Sequence, residues 1–133
     1  MVALKLFFLT ILTYVYVSNG NTITKPIELT GPEREAAVER LYTELHKIVL
    51  AGGPVFKVLR VNKVTNHKVS SYPSDNLRLS VDTYDVDLVV GRVIKKCIVT
   101  IAIQHILHDT TFRNWITIVC NGKLEFRNYE MNY

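Results

Sequence analysis

The sequence predicts an α+β fold in which one α-helix packs across a twisted antiparallel sheet of four to five strands. A single amphipathic helical pattern lies between Thr30 and Gly52, and β-rich segments separated by turn residues follow it. No strand–helix–strand alternation occurs, so a parallel sheet is not expected. Residues 97–120 contain two apolar segments that can fold back on each other, with a cysteine at each outer end.

The first twenty residues have the composition of a secretory signal peptide. Lys5 precedes a mostly apolar run of about 12 residues, and Ser18 and Gly20 place small residues before the expected cleavage site. The alternative is a membrane anchor, but a spanning helix needs roughly 20 apolar residues. We therefore expect a signal peptide at residues 1–20 and a secreted, extracellular, monomeric domain at residues 21–133, without membrane contact once the signal is removed.

The charge distribution argues against a nucleic-acid partner. The formal net charge is +4, and the basic residues are scattered along the chain. Only Lys95 and Lys96 are adjacent in the expected mature part, so no cationic stripe is available to grip a phosphate backbone. The two cysteines of a secreted chain are expected to pair with each other.

The helix is predicted from its cap, its apolar stripe and its stop signal. Thr30 is a capping residue, and Glu33 stands where its side chain can reach back to the Thr30 N–H. The apolar positions that follow are spaced three or four residues apart: Val38, Leu41, Leu45 and Ile48. Tyr42 and Val49 widen this stripe. The glycine–glycine–proline sequence at residues 52–54 ends the helix.

The middle of the chain predicts two strands and an irregularity. Residues 55–64 are β-rich, and residues 66–76 are polar and predict a loop or a broken strand. The apolar positions then change parity, from Leu77, Leu79 and Val81 to Tyr84, Val86 and Leu88. One face cannot bury both sets without a bulge, which we expect near Asp82. Alternatively, residues 72–80 are a loop excursion and the strand begins later.

The last third of the chain predicts a hairpin and a short final strand. Gly91 and the Asn121–Gly122 pair are turn signals, and residues 124–129 can form the last strand. In the hairpin between these turns, one register places Cys97 opposite Cys120 and also aligns the apolar faces of both strands. Its tip, from Gln104 to Arg113, is polar.

No group of residues predicts catalysis. His105 and His108 could bind a metal, but a third ligand is missing, so exposed loop histidines are the favoured interpretation and no cofactor or metal is expected. Asp85 and Asp87 share one strand face and could act as an acid/base pair, although a solvated outer face is the favoured interpretation. We do not expect an enzyme.

The chain resembles the cystatins, and insect cystatins most closely. The resemblance covers residues 31–122 and is carried by five segments: AVERLYTEL, GGPVFKVLRVNKVT, TYDVDL, KKCIVTIAIQ and WITIVCNGK. It implies a cystatin-like fold, with Cys97 and Cys120 where the family has its C-terminal disulfide. It also implies non-covalent inhibition of papain-like cysteine proteases of the cathepsin L type, by a wedge that fills the active-site cleft.

The resemblance assigns three segments to this wedge, although their family motifs are degenerate here. They are the N-terminal arm, the first hairpin loop and the second hairpin loop. The family's Gln-x-Val-x-Gly motif falls on His67, Lys68, Val69, Ser70 and Ser71, where only the valine matches. Its Gln-Pro-Trp segment falls on Gln104, His105 and Ile106, so proline and tryptophan are absent. Trp115 falls on the returning strand, and no arm glycine other than Gly31 remains after signal removal.

Two functions follow from this comparison with the family. The first is a secreted inhibitor of papain-like proteases that is weak or selective. The second is a non-inhibitory cystatin-fold protein that serves as an extracellular binding or reproductive-tract protein. The fold favours the first, and the degenerate loops favour the second.

Overall fold

The computed structural model describes residues 21–71, 77–106 and 112–132, so the predicted signal peptide lies outside the described residues. One helix, α1 (Gly31–Leu50), packs on an open antiparallel sheet, which confirms the α+β prediction. The strands are β1 (Asn21–Ile23), β2 (Ile27–Glu28), β3 (Phe56–Ser71), β4 (Leu77–Val90), β5 (Val93–Ile106), β6 (Phe112–Cys120) and β7 (Lys123–Asn132). Their order is β1-β3-β4-β5-β6-β7, and β2 also pairs with β3.

The sheet has six strand positions, so the predicted count of four to five is wrong. At one edge the N-terminal arm pairs with β3, with Asn21 opposite Ser71 and Ile27 opposite Asn66. The Leu29 N–H continues this edge by donating to the Val64 carbonyl at 2.8 Å. At the other edge β7 is a strand of 10 residues. The arm was missed because strands of two or three residues at an edge require no hydrophobic alternation.

The helix lies where the sequence predicts it, but two details differ. Thr30 is extended and precedes the first helical residue, yet its side chain makes no capping hydrogen bond, so the expected capping box is not formed. The buried face consists of Ala37, Leu41, Leu45 and Ile48. Tyr42 is 52% exposed and Val49 is 38% exposed, so neither widens the buried stripe. At the C-terminus, the Gly53 N–H donates to the Ile48 carbonyl at 2.8 Å and ends the helix.

The core lies between α1 and one face of the sheet, which we call the core face; the opposite face is the outer face. The sheet contributes alternating residues from its central strands: Tyr84, Val86, Leu88, Cys97, Val99, Ile101, Ile116, Ile118 and Cys120. Cys97 pairs directly with Cys120, as predicted, and their Sγ atoms are 2.04 Å apart in a disulfide bond. The register of the hairpin is therefore confirmed.

The expected bulge near Asp82 is wrong. β4 keeps one register with β5 from Leu77 to Val90, and the irregularities lie in β3, where Leu59 and Asn62 are the extra residues. The parity change has another cause. Asp82 continues the core-face alternation of Tyr84, while the apolar residues before it belong to the outer face. The hydrophobic pattern is broken by a polar residue at a core position, not by an inserted residue.

Asp82 is held at this core position by a polar network that joins the helix to the sheet. Its side chain is 4% exposed, and the Arg40 guanidinium of α1 donates to its Oδ2 atom, with Nη2 at 2.9 Å. Asn66 Nδ2 of β3 donates to Asp82 Oδ1 at 2.8 Å. Beside them, the Tyr84 hydroxyl donates to the Ala37 carbonyl of the helix at 2.6 Å. These bonds tie α1, β3 and β4 together at one place.

Replacement of Arg40 by methionine tests this network. Arg40→Met keeps an apolar stem and removes the cation, which leaves the Asp82 carboxylate buried without its charged partner. We expect the free energy of unfolding to fall by about 3 kcal/mol at neutral pH in urea denaturation. Lys47→Met is the matched control, because its partner Glu44 is nearer to solvent, and it should cost less than about 1 kcal/mol. Equal losses in the two variants would contradict this role of Arg40.

Alkaline titration tests the burial of Tyr84. Burial, together with the negative charge of Asp82, raises the pKa of Tyr84 above its ordinary value. The unfolded chain releases this proton near pH ~10, so the stabilisation is present below that pH and is lost as the pH rises above it. We expect the free energy of unfolding of the wild type to fall more steeply above about pH 10 than that of Tyr84→Phe. Parallel slopes in urea denaturation would contradict this account.

Candidate functional site

The pairing of β4 brings together the two segments that the sequence analysis assigned to the wedge. Leu79 of β4 lies directly across from Val69 of β3 on one side and from Gln104 of β5 on the other. The next residue towards the strand end, Arg78, is paired in the same way with Ser70 and His105. Because neighbouring strands are about 4.8 Å apart, the two segments are separated by roughly 10 Å.

The N-terminal arm reaches the same end of the sheet. Ile23 of β1 pairs with Val69, and Asn21 pairs with Ser71. Beyond β1, the Thr24 N–H donates to the Lys68 carbonyl at 2.9 Å, and the Lys68 N–H donates to Thr24 Oγ1 at 2.8 Å. Residues 21–24, 67–71 and 104–106 therefore share one end of the sheet, which we call the tip end.

The tip end is built from strands and not from loops. The expected loop residues from His67 to Ser71 belong to β3, and those from Gln104 to Ile106 belong to β5. The two chain reversals, residues 72–76 and 107–111, lie outside the described residues. Polar residues form strands here because β3 has partners on both sides, β1 and β4, which satisfy its backbone groups.

The two faces of the tip end differ in chemistry. On the outer face, an apolar row crosses three strands through Ile23, Val69 and Leu79, and it ends at the polar residue Gln104. Ile23 is 47% exposed, and the side chains of Val69, Leu79 and Gln104 are half-buried. This row offers an apolar surface at the extremity of a rigid sheet. The core face carries Lys68 and polar side chains at the same level.

Sequence reasoning placed Val69 and Gln104 at this end but missed Ile23 and Leu79. The β-branched run Thr22-Ile23-Thr24 was the available signal for the arm strand. Leu79 could have been found only by knowing that β4 continues without a bulge.

The other residues considered in the sequence occupy ordinary positions. Trp115 lies on β6 opposite Ala102 and is half-buried, so its assignment to the returning strand is confirmed. Asp85 and Asp87 lie on the outer face opposite cationic residues of β3, Lys63 and Arg60. Each carboxylate thus has a basic residue across the strand, an arrangement typical of a solvated sheet face.

His108 lies outside the described residues, as do the side-chain surroundings of His105. Within the described ranges, no group of three or more histidine, cysteine or acidic side chains is placed to hold a metal ion. Cys97 and Cys120 are paired, and each is 1% exposed. A disulfide sulfur that is buried in this way is not a nucleophile.

Comparison with known proteins gave no match: no family model, no curated protein and no solved structure is similar to this chain. Across residues 21–71, 77–106 and 112–132, no helix is long and apolar enough to span a membrane.

Proposed function

We propose that the protein is a secreted, cystatin-like inhibitor of papain-like cysteine proteases of the cathepsin L type, and that its tip end occupies the protease cleft. The observation that supports this most is the convergence of three segments that are far apart in the sequence. Residues 21–24, 67–71 and 104–106 lie side by side at one end of one sheet. The resemblance of the sequence to cystatins assigns the wedge to the same three segments.

The apolar row of the outer face is the proposed contact surface. Ile23, Val69 and Leu79 present adjacent apolar side chains, and Gln104 adds an amide beside them. The strands that carry these residues are held in a continuous ladder, so little backbone freedom is lost on binding. Such preorganisation favours association because the ordering cost has been met during folding.

Inhibition by this surface is occlusion without a covalent step. Ser71 stands where the family motif has glycine, so a side chain occupies the place where the backbone would approach the protease closely. The second segment has His105 and Ile106 in place of proline and tryptophan. Loss of one aromatic anchor commonly costs ~2 kcal/mol or more at an interface. The proposed inhibition is therefore weak or restricted to few proteases.

One observation favours the second candidate, a non-inhibitory extracellular binding protein. The backbone of Val69, Ser70 and Ser71 is paired with β1 on one side and with β4 on the other. A segment bonded on both sides has fewer free backbone groups for a protease than an exposed loop tip has. The inhibition experiment below separates the two candidates.

Restoration of the family motifs tests the proposed function. We expect the secreted protein to inhibit papain or a cathepsin L-type protease only weakly in a steady-state assay. The combined variant His67→Gln, Ser71→Gly, His105→Pro and Ile106→Trp should bind several kcal/mol more tightly, because it restores the close backbone approach and the aromatic anchor.

Two controls define the outcome. Leu124→Trp adds a tryptophan at an exposed β7 position far from the tip end, and it should leave the inhibition constant unchanged. Because proline removes a backbone donor from β5, His67→Gln with Ser71→Gly is also measured alone, with thermal unfolding as a folding check. Unchanged inhibition constants in every restored variant that folds, or sub-nanomolar inhibition by the wild type, would refute the proposed weak wedge.

A further inference from the structure

A groove of about 370 Å³ opens on the core face of the tip end, and no residue of α1 lines it. Its polar lining comes from two neighbouring strands: Lys68 and Ser70 of β3, and Arg78 and Ser80 of β4. Ile103 of β5 forms an apolar wall beside them. The volume falls within the range of small-molecule sites, roughly 300–1,000 Å³.

The strand register arranges the four polar side chains as a square. Lys68 is directly across from Ser80, and Ser70 is directly across from Arg78. Since residues two apart on a strand share a face, all four side chains lie on the core face. The two cations occupy one diagonal of the square and the two hydroxyl groups occupy the other, so both kinds of donor reach the same volume.

The hydrogen bonds beneath the groove direct one hydroxyl into it. Asn66 Nδ2 donates to Ser80 Oγ at 3.0 Å, which occupies a lone pair of that oxygen and leaves its proton to be donated elsewhere. Asp82 lies two residues further along β4, but Arg40 and Asn66 already bond its carboxylate. Among the described lining residues none is acidic, so the groove presents donors and positive charge.

We propose that this groove binds a small organic phosphate or sulfate monoester. Lys68 and Arg78 would contact the anionic oxygens, Ser70 and Ser80 would donate hydrogen bonds to them, and the organic group would lie against Ile103. Charge-assisted hydrogen bonds from lysine and arginine are the usual means of holding such oxyanions. This site does not depend on the proposed protease inhibition.

Isothermal titration of the secreted protein with phenyl phosphate and with phenyl sulfate tests the proposal. We expect saturable binding at low ionic strength that weakens with added salt. Phenyl phosphate should bind more weakly at pH ~5 than at pH ~7.5, because a phosphate monoester loses its second proton near pH ~6, whereas phenyl sulfate should be insensitive. The stronger of the two ligands identifies which monoester the groove prefers.

Charge-matched variants show where binding occurs. Lys68→Gln with Arg78→Gln should weaken binding by about tenfold or more, because it removes both cations of the square. Arg60→Gln with Lys63→Gln removes the same charge from the outer face of β3, and it should change binding less than about twofold. Ser80→Ala should weaken binding a few-fold.

Chemical-shift mapping of the wild type keeps the test valid if a variant does not fold. Amide shifts caused by phenyl phosphate or phenyl sulfate should concentrate at residues 68–70 and 78–80. The proposal is overturned if neither compound binds saturably, if shifts lie elsewhere, or if both double variants that fold lose affinity equally, since that result would indicate only a general charge effect.

Discussion

The unbroken register of β4 is the constraint on which the rest of the structure depends. β4 pairs with β3 on one side and with β5 on the other, so a single residue, Leu79, is placed between Val69 and Gln104. The two bulges that bend the sheet lie earlier in β3, at Leu59 and Asn62. The register near the tip end is therefore regular. A slip of one residue would move every side chain there to the opposite face.

A polar network fixes the helix over this ladder. Asp82 occupies a core-face position of β4, and its partners come from α1 and from β3. A buried carboxylate contributes little net stability, but removal of its partner is costly, so only arrangements that pair Asp82 with Arg40 are acceptable. The network therefore selects one placement of the helix. It also separates the hydrophobic core from the polar groove at the tip end.

The sequence predicted the elements with strong local signals. The apolar stripe of α1 and the register of the 97–120 hairpin were found, because burial of one face imposes a clear period on each. The extra strand positions were missed because an edge strand needs no apolar face. The bulge was misplaced because Asp82 broke the alternation, and a polar core residue looks the same as an inserted one until its partners are known.

The candidate site was predictable only in part. Val69 and Gln104 were placed by resemblance to a family, while their proximity follows from the β4 register. The adjacent Ile23 has little sequence signal, because its position depends on pairing with a segment nearly fifty residues away. The square of cations and hydroxyl groups on the core face likewise combines two strands. Contacts that join separate strands cannot be read from the period of either strand alone.

Site-specific photo-crosslinking to papain tests the central claim, that the tip end is the protease-binding surface. A photoreactive amino acid would replace Val69 or Gln104 at the tip end, and Leu124 far from it. The account predicts adducts from positions 69 and 104 that map to the papain active-site cleft and disappear when a small inhibitor fills that cleft. Adducts from position 124 alone, or tip-end adducts that persist in the filled enzyme, would contradict it.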